Sequence, residues 1–241
     1  MARSNGRGNR ELRAVSIDRG FTTSAAGSVL IGMGNTRVLC TASFQEGVPD
    51  WRKGSGKGWV TAEYDMLPAA GGDRKKRNRE RVDGRTQEIQ RLIGRTVRAV
   101  TDMRKLGENS IFLDCDVIQA DGGTRTAAIT GAYVAFHDAV RYGLRKKLLR
   151  ETPLLDSVAA ISVGIVQGRC LLDLDYSEDV GADVDFNVAM TGGGRFIEIQ
   201  GTAEGATFDR KELDRLVTLA ASGIRQLRIL QEKALRKRIK T

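Results

Sequence analysis

Glycine-centred turns between short apolar runs constrain the fold of this chain more than any other feature. In GSVLIGMGNTRVLCTASF, residues 27–44, two strand-like runs flank Gly34-Asn35, a pair of residues typical of a tight hairpin turn. In VDFNVAMTGGGRFIEIQGTAE, residues 184–204, the glycines at 192–194 separate two more such runs. We therefore expect antiparallel hairpins in both halves of the chain.

Helical patterns follow each series of hairpins. The segment 84–103 predicts an amphipathic helix with three arginines, Arg91, Arg95 and Arg98, on one face. Its apolar stripe consists of Ile89, Leu92, Ile93, Val97 and Val100. A long C-terminal helix is predicted after Asp209, with Glu212 completing a capping box. This order predicts an α+β fold of two related halves, residues 1–150 and 151–241.

The stretch QADGGTRTAA, residues 119–128, lies between a predicted strand and a predicted buried helix. Gly122 and Gly123 can adopt positive φ and leave room for a ligand at the backbone. The first amides of a helix lack intrahelical acceptors and favour an anion. Thr124 adds a hydroxyl, and Arg125 adds a forked cation that suits phosphate. The stretch predicts an anion site; the alternative is a plain glycine turn beside a surface arginine.

Acidic residues are concentrated in YSEDVGADVDFN, residues 176–187, which predicts a loop leading into a strand. Asp179 and Asp185 could share one divalent cation, because hard cations prefer carboxylate oxygens. The alternative is an exposed acidic turn that pairs with nearby arginines. The other acids considered there are Asp173, Asp175, Glu178 and Asp183.

Basic residues give the chain a formal net charge of +9, which favours polyanionic partners. Six cations lie between Arg74 and Arg81, in a segment that predicts a loop beside a site that it serves. The C-terminal EKALRKRIK is a second basic block, for which a solvated tail is the simpler interpretation.

The remaining composition excludes several classes of protein. Cys40, Cys115 and Cys170 lie in apolar segments without metal-binding spacing, so they predict buried reduced thiols. No apolar run reaches the length of about 18 residues that spans a membrane, and we expect a cytoplasmic protein. No P-loop motif is present, and His137, the single histidine, lies in a predicted buried helix. Arginines, an anion turn and a carboxylate pair instead suit phosphoryl transfer on a nucleic acid.

The sequence resembles the ribonuclease PH family of phosphate-dependent 3′-to-5′ exoribonucleases. The resemblance runs from about residue 3 to residue 230 and includes GKGWVTAEYDMLP, GRTQEIQRLIGR, LDCDVIQADGGTRTAAITGA and IEIQGTAEG. The segment DLDY-EDVGADVDFNVAMT also matches, where the dash stands for Ser177. The N-terminal RSNGR departs from the form R-x-D-G-R often found in the family.

The resemblance implies a role for each site residue. Arg85, Gly123, Thr124 and Arg125 would bind inorganic phosphate, the co-substrate. Asp179 and Asp185 would be the catalytic pair and would hold Mg²⁺ or Mn²⁺. The residues that would guide RNA are Arg74, Arg77, Arg79, Arg81 and Arg91.

The resemblance also implies a fold and an activity. The two halves would each have the ribosomal S5 domain 2-like fold, and six copies would form a ring as a trimer of dimers. The enzyme would shorten transfer RNA precursors and other RNA 3′ ends, with ribosomal RNA as a further candidate substrate. It would release nucleoside diphosphates, and the reaction would be reversible. A ring subunit that binds RNA without catalysis and a hydrolytic nuclease are the alternatives.

Overall fold

The computed structural model describes residues 3, 6–74, 76–77, 82–204 and 207–239. These residues form strands and helices that alternate along the chain. In chain order the elements are β1 (Val15–Arg19), β2 (Gly27–Met33), β3 (Thr36–Glu46), β4 (Trp59–Met66), α1 (Gly84–Ala99), α2 (Met103–Leu106), β5 (Asn109–Gln119), α3 (Thr124–Arg145), β6 (Val158–Val166), β7 (Arg169–Leu172), α4 (Tyr176–Val180), β8 (Val184–Thr191), β9 (Phe196–Ala203) and α5 (Arg210–Arg236).

The first five strands form one sheet in the order β1-β2-β3-β5-β4. All neighbours in this sheet are antiparallel except β4 and β5, which run parallel. Parallel neighbours need a crossover connection, and α1 lies within it. The predicted hairpin at Gly34-Asn35 is confirmed, since these residues join β2 to β3.

The other four strands form an antiparallel sheet in the order β7-β6-β8-β9. The predicted turn at residues 192–194 is confirmed between β8 and β9. The C-terminal helix α5 packs against this second sheet and begins at the predicted capping box of Asp209 and Glu212. The mixed helix and sheet content of both parts confirms the α+β class.

Helix α3 lies between the two sheets and contacts β2, β3 and β6. It is buried on nearly all sides, as expected for a helix without a polar face. Small residues make this close approach possible. A Cβ atom on Gly131 would lie 2.8 Å from both Cys40 Sγ and Ile31 Cγ2. Because α3 crosses the centre of the core, both ends of the helix have fixed positions relative to both sheets.

Two predicted boundaries are wrong. The helix predicted for residues 84–103 ends at Ala99, because Thr101 leaves it to form a bridge with Leu154. The predicted acidic loop contains a short helix, α4, whose start is fixed by a capping box of Asp175 and Glu178. The apolar stripe of α1 is buried as predicted.

The cysteines are free thiols. Cys40 and Cys115 are buried and face each other across β3 and β5, while Cys170 is half-buried. Among the described residues, every helix is too short or too polar to cross a lipid bilayer.

Candidate active site

The turn that precedes α3 positions backbone amides at the start of the helix. Gly122 and Gly123 both have positive φ, at 74° and 64°, as the sequence predicts. Gly123 is the N-cap of α3 and supplies no side-chain acceptor to the first turn. Among the described residues, the first intrahelical bond runs from Ala127 N–H to the Gly123 carbonyl. The amides of Thr124, Arg125 and Thr126 therefore precede the hydrogen-bonded part of the helix and can bind an anion.

The same turn packs directly against the second half of the chain. A Cβ atom on Gly122 would lie 2.6 Å from the carbonyl carbon of Asp175 and 2.8 Å from Tyr176 N. Glycine is required here because backbone, which cannot move aside, fills the space. The Thr36 hydroxyl donates to the Gly122 carbonyl at 2.7 Å and accepts from Asp121 N–H at 2.9 Å. These contacts bring the start of α4 next to the start of α3.

Arg125 is held by residues from two other elements. Its Nη1 atom donates to Gln200 Oε1 on β9 at 3.0 Å and lies 3.4 Å from Glu88 Oε1 on α1. Gln200 Nε2 also donates to Glu88 Oε1, at 2.8 Å, which closes a small network. The contacts found among the described residues use only Nη1, so Nε and Nη2 can face a ligand.

Arg85 and Thr124 both act on the side chain of Tyr64. The Thr124 hydroxyl accepts a hydrogen bond of 2.9 Å from Tyr64. Burial raises the pKa of Tyr64, and the charges of Arg85 and Arg125 act in the opposite direction. Both guanidinium groups are thus within electrostatic reach of one hydroxyl. The predicted phosphate-binding residues converge, with Arg85 exposed at the first turn of α1.

Asp179 on α4 and Asp185 on β8 face the arginines. Burial raises the pKa of Asp179, although the charges of Arg85 and Arg125 counteract it. Burial and then repulsion from Asp179 raise the pKa of Asp185 to about 6, and Arg125 again acts against this. Each carboxylate therefore interacts with the other and with Arg125. The carboxylate pair and the arginines of the predicted anion site are therefore electrostatically coupled.

The carboxylate pair fits a divalent cation. Asn187 Nδ2 donates to Asp185 Oδ2 at 3.2 Å, whereas Asp185 Oδ1 is buried and has no hydrogen-bond partner among the described residues. A buried oxygen without a donor is costly, and a cation would satisfy it. In the described part of the chain no group of three or more His, Cys, Asp or Glu side chains is close enough to hold a metal. The pair would thus leave other coordination positions to water or substrate.

Two other acids of the cluster pair with arginines, as the alternative interpretation expected, but these pairs are buried and not exposed. Asp173 accepts from Arg13 through both oxygens, at 2.7 Å and 3.1 Å. Glu178 Oε1 accepts from Arg3 Nε at 2.6 Å. All four side chains are buried. Asp183, by contrast, is exposed.

Arg13 connects the two parts of the site, and sequence reasoning missed it. Besides binding Asp173, its Nη1 donates to the carbonyl of Asp121, and it lies 3.4 Å from the carbonyl of Gly122. Asp173 precedes α4, which carries Asp179. Arg13 therefore ties the anion turn to the carboxylate helix. An isolated arginine near the N-terminus gives no sequence signal for this role.

The arginines predicted to guide RNA are only partly described. Arg74 and Arg77 are exposed, and the charge of Arg77 reaches Asp116 on β5. Arg79 and Arg81 lie outside the described residues. Arg91 is exposed on α1, and it is not among the charges that act on the carboxylate pair.

The three arginines predicted to share a face, Arg91, Arg95 and Arg98, all lie on the single helix α1. Two of them have partners within the protein. Arg95 pairs with Glu198 on β9 at 3.2 Å. Arg98 donates to the Val60 carbonyl at 2.8 Å and lies over the Trp59 ring.

Comparison with known proteins identifies the family. Residues 11–141 match domain 1 of the 3′ exoribonuclease family, and residues 156–223 match domain 2. Ribonuclease PH of Mycobacterium sp. (strain KMS) is 59% identical over 236 residues, which cover 97% of this chain and 91% of the relative. Ribonuclease PH of Rhodococcus erythropolis is 58% identical over 97% of this chain and 90% of the relative.

Solved structures share the fold. Rice (Oryza sativa) Rrp46 superposes with a TM-score of 0.80 at 15% identity, over 97% of this chain and 100% of that one. The Archaeoglobus fulgidus exosome with RNA bound to the active site gives a TM-score of 0.78 at 23% identity, over 95% and 92% of the two chains. Each half of the chain thus has the ribosomal S5 domain 2-like fold. With both family domains matched in order and two relatives this similar, the chain belongs to the 3′ exoribonuclease family of ribonuclease PH type.

Proposed function

We propose that this chain is a phosphorolytic 3′-to-5′ exoribonuclease that uses inorganic phosphate to remove the terminal nucleotide of RNA. The relatives named ribonuclease PH support this activity. The observation that supports the residue assignment is that the charge of Arg125 acts on both Asp179 and Asp185. We propose that the anion turn and the carboxylate pair therefore act on the same reacting group.

The first task of the site is to overcome charge repulsion. Inorganic phosphate and the RNA phosphodiester are both anions, so they repel each other at close range. Arg85 and Arg125 supply two positive charges, and the Thr124 amide adds the partial positive charge of a helix start. We propose that these groups bind the attacking phosphate and orient one of its oxygens.

The bond changes follow from this arrangement. An oxygen of the bound phosphate forms a bond to the phosphorus of the terminal phosphodiester. The bond from that phosphorus to the 3′ oxygen of the preceding nucleotide breaks. The attacking phosphate gives up a proton, and the departing 3′ oxygen takes one up. The products are a nucleoside diphosphate and an RNA that is one nucleotide shorter. Excess nucleoside diphosphate reverses the reaction.

Asp179 and Asp185 would hold a divalent cation, with Mg²⁺ and Mn²⁺ as the candidates. When bound, this cation supplies positive charge to the oxygens of the reacting phosphate. The residues themselves contribute a buried site, in which Asn187 fixes the orientation of the Asp185 carboxylate. Arg125 remains close enough to moderate the repulsion between the two acids.

The RNA substrate and the assembly are further parts of the proposal. Arg74, Arg77, Arg79, Arg81 and Arg91 would guide RNA toward the site. Transfer RNA precursors would be the main substrate, and the chain would form a homohexamer that is a trimer of dimers. Residues 1–150 would provide the phosphate site, and residues 151–241 would provide the carboxylate pair. Free cysteines suit the reducing conditions of the cytoplasm.

Mass spectrometry of the released nucleotide tests the activity. The proposal predicts nucleoside diphosphates, formed only when phosphate is present. Release of nucleoside monophosphates would instead identify a hydrolytic nuclease. Absence of any release, with RNA binding retained, would identify a non-catalytic ring subunit.

A further inference from the structure

A large cleft lies at the end of α3 opposite the phosphate site. It has a volume of about 1140 Å³ and is bounded by the β1–β2 connection and by the C-terminal ends of α3 and α5. Since α3 has 22 residues, this end is about 30 Å from Arg125. We call it the distal cleft, and we define it by Thr22, Phe44, Arg141, Arg145 and Arg236.

The charge of the distal cleft is strongly positive. Its one acidic side chain, Asp138, forms an ion pair with Arg19. Arg19 also donates to the carbonyls of Ala234, Leu235 and Lys237, so this pair belongs to the structure of the wall. The five other cations of the lining are exposed. They are Arg141, Arg145, Arg236, Lys237 and Arg238.

These five cations have no counter-charge in the described protein. None of their side chains makes a hydrogen bond or an ion pair with another described residue. Arg141 and Arg145 are one turn apart on α3, where like charges repel each other. The helix dipole favours a cation in the last turn, but it does not require five cations around one cleft. Their convergence therefore indicates a polyanionic ligand.

The uncharged part of the lining suits nucleotides. Phe44 and Tyr142 lie with their ring centroids 6.5 Å apart, and both rings contribute to the wall. Thr23 and Ser24 add exposed hydroxyls. Aromatic rings beside arginines bind the bases and phosphates of single-stranded RNA. The cleft is also larger than the roughly 300–1000 Å³ of typical small-ligand sites.

We propose that the distal cleft binds the substrate RNA about 30 Å from the reacting 3′ end. This inference rests on the proposed function and adds a second contact with the same RNA. An RNA that reaches both the Arg125 site and the distal cleft gains affinity from the second contact. An RNA too short to reach the cleft gains nothing.

The test compares Arg141→Gln/Arg145→Gln with the matched variant Arg104→Gln/Arg225→Gln. Both double variants lose the same charge, but Arg104 and Arg225 are exposed outside the cleft. Affinity is measured against salt concentration for a long RNA and for an oligonucleotide too short to span the distance. The cleft variant should bind the long RNA about tenfold more weakly. Its salt slope should fall by about 0.7 for each lost phosphate contact.

Phosphorolysis of the short oligonucleotide separates this inference from the proposed function. The cleft variant should degrade it at the wild-type rate, because the Arg125 site is unchanged. Equal long-RNA affinity in the cleft and matched variants would overturn the inference, even if phosphorolysis is intact. If Arg141→Gln/Arg145→Gln does not fold, Arg236→Gln/Arg238→Gln gives the same test from the end of α5.

The same variants also distinguish RNA from two other ligands of the cleft, a free nucleotide and a second copy of the chain. Saturable binding of ATP that is lost in the cleft variant, with long-RNA affinity unchanged, would assign the cleft to a free nucleotide. A change of oligomeric mass in the cleft variant but not in the matched variant would assign it to an interface between copies. Either result would overturn RNA binding at the distal cleft.

Discussion

Arg125 is the single residue that contacts the most parts of the candidate site. Its guanidinium bonds Gln200 and lies beside Glu88, and its charge reaches both Asp179 and Asp185. These contacts hold the Nη1 edge of the guanidinium group, so the remaining N–H groups of Arg125 point in a fixed direction. A fixed, forked donor is better suited to phosphate than a flexible ammonium group.

Arg125→Ala should therefore lower the phosphorolysis rate by about 10²-fold or more, the usual cost of losing one charge-stabilising donor. RNA affinity should change little, because the phosphate site is separate from the predicted RNA-guiding loop. Steady-state kinetics with varied phosphate measure this loss, and Arg104→Ala serves as the control. Normal turnover of Arg125→Ala at low phosphate would remove Arg125 from the site.

Asp185 stores an unfavourable charge in the folded protein. Its pKa of about 6 exceeds the ordinary value of 3.8, so ionisation destabilises the folded state as the pH rises between these values. A difference of this size corresponds to at most about 3 kcal/mol, and partial solvation reduces it further. Function, not stability, explains a carboxylate in this position.

Asp185→Asn should therefore raise the melting temperature at pH above about 6 in the presence of a chelator, and should abolish turnover. The gain should vanish below about pH 3, where the aspartate is protonated in both the folded and the unfolded protein. Added Mg²⁺ should stabilise the wild type but not the variant. Differential scanning fluorimetry at several pH values measures all three effects. If Asp185→Asn is less stable than the wild type at pH 8, the ionised Asp185 carboxylate does not destabilise the folded protein, which would contradict the prediction.

At the scale of elements, the site is the junction of α3 and α4. The two helices come from different halves of the chain, and Gly122 lets their starting turns touch. Arg13 bonds Asp173, which precedes α4, and the backbone carbonyls of the turn before α3. Because this ion pair is buried, removal of Arg13 leaves Asp173 with only the longer ion pair to Arg7, at 3.6 Å, among the described residues.

Arg13→Met should destabilise the protein by about 3 kcal/mol, since Asp173 stays buried and keeps only its longer ion pair with Arg7. Adding Asp173→Leu should restore most of this stability, because two apolar side chains replace the buried pair. The double variant should still have a raised KM for phosphate, since the Asp121 carbonyl beside the turn has lost Arg13 as its donor. Urea unfolding and kinetics measure the two quantities. Recovery of both stability and KM would reduce Arg13 to a structural role.

Local sequence patterns were sufficient for the parts of the site that depend on neighbouring residues. The glycine turn before α3 and the hairpins follow from glycine conformation and apolar spacing. The helix α4 was missed because its capping box, Asp175 and Glu178, lies within a run of acids that also suits a loop. The role of Arg13 was missed because it depends on contacts with Asp173, far away in the sequence. Contacts of this kind have no local signal.

At the scale of the whole molecule, two regions of the described chain bring together exposed cations that suit RNA. One is the segment with Arg74 and Arg77, and the other is the distal cleft. In the described part of the first segment, the charge of Arg77 acts on Asp116, although burial and Asp65 have larger effects on the pKa of that carboxyl. This electrostatic attraction competes with RNA for Arg77.

Arg74→Ala/Arg77→Ala should reduce RNA affinity and flatten its dependence on salt. The slope should change by about 0.7 for each phosphate contact that is lost. Because Asp116 already partly neutralises Arg77, Arg74→Ala alone should account for most of the change. Fluorescence anisotropy with a labelled single-stranded RNA measures the slopes. An unchanged slope in the double variant would show that this segment does not contact RNA.

The central claim is that an inorganic anion, held by Arg85 and Arg125, cleaves the terminal nucleotide in place of water. The most direct test incubates the purified protein with RNA after enzymatic removal of orthophosphate, and then restores the phosphate. The claim predicts no shortening before the addition, and nucleoside diphosphates with matching loss of phosphate after it. Equally fast shortening in the phosphate-free buffer would contradict it.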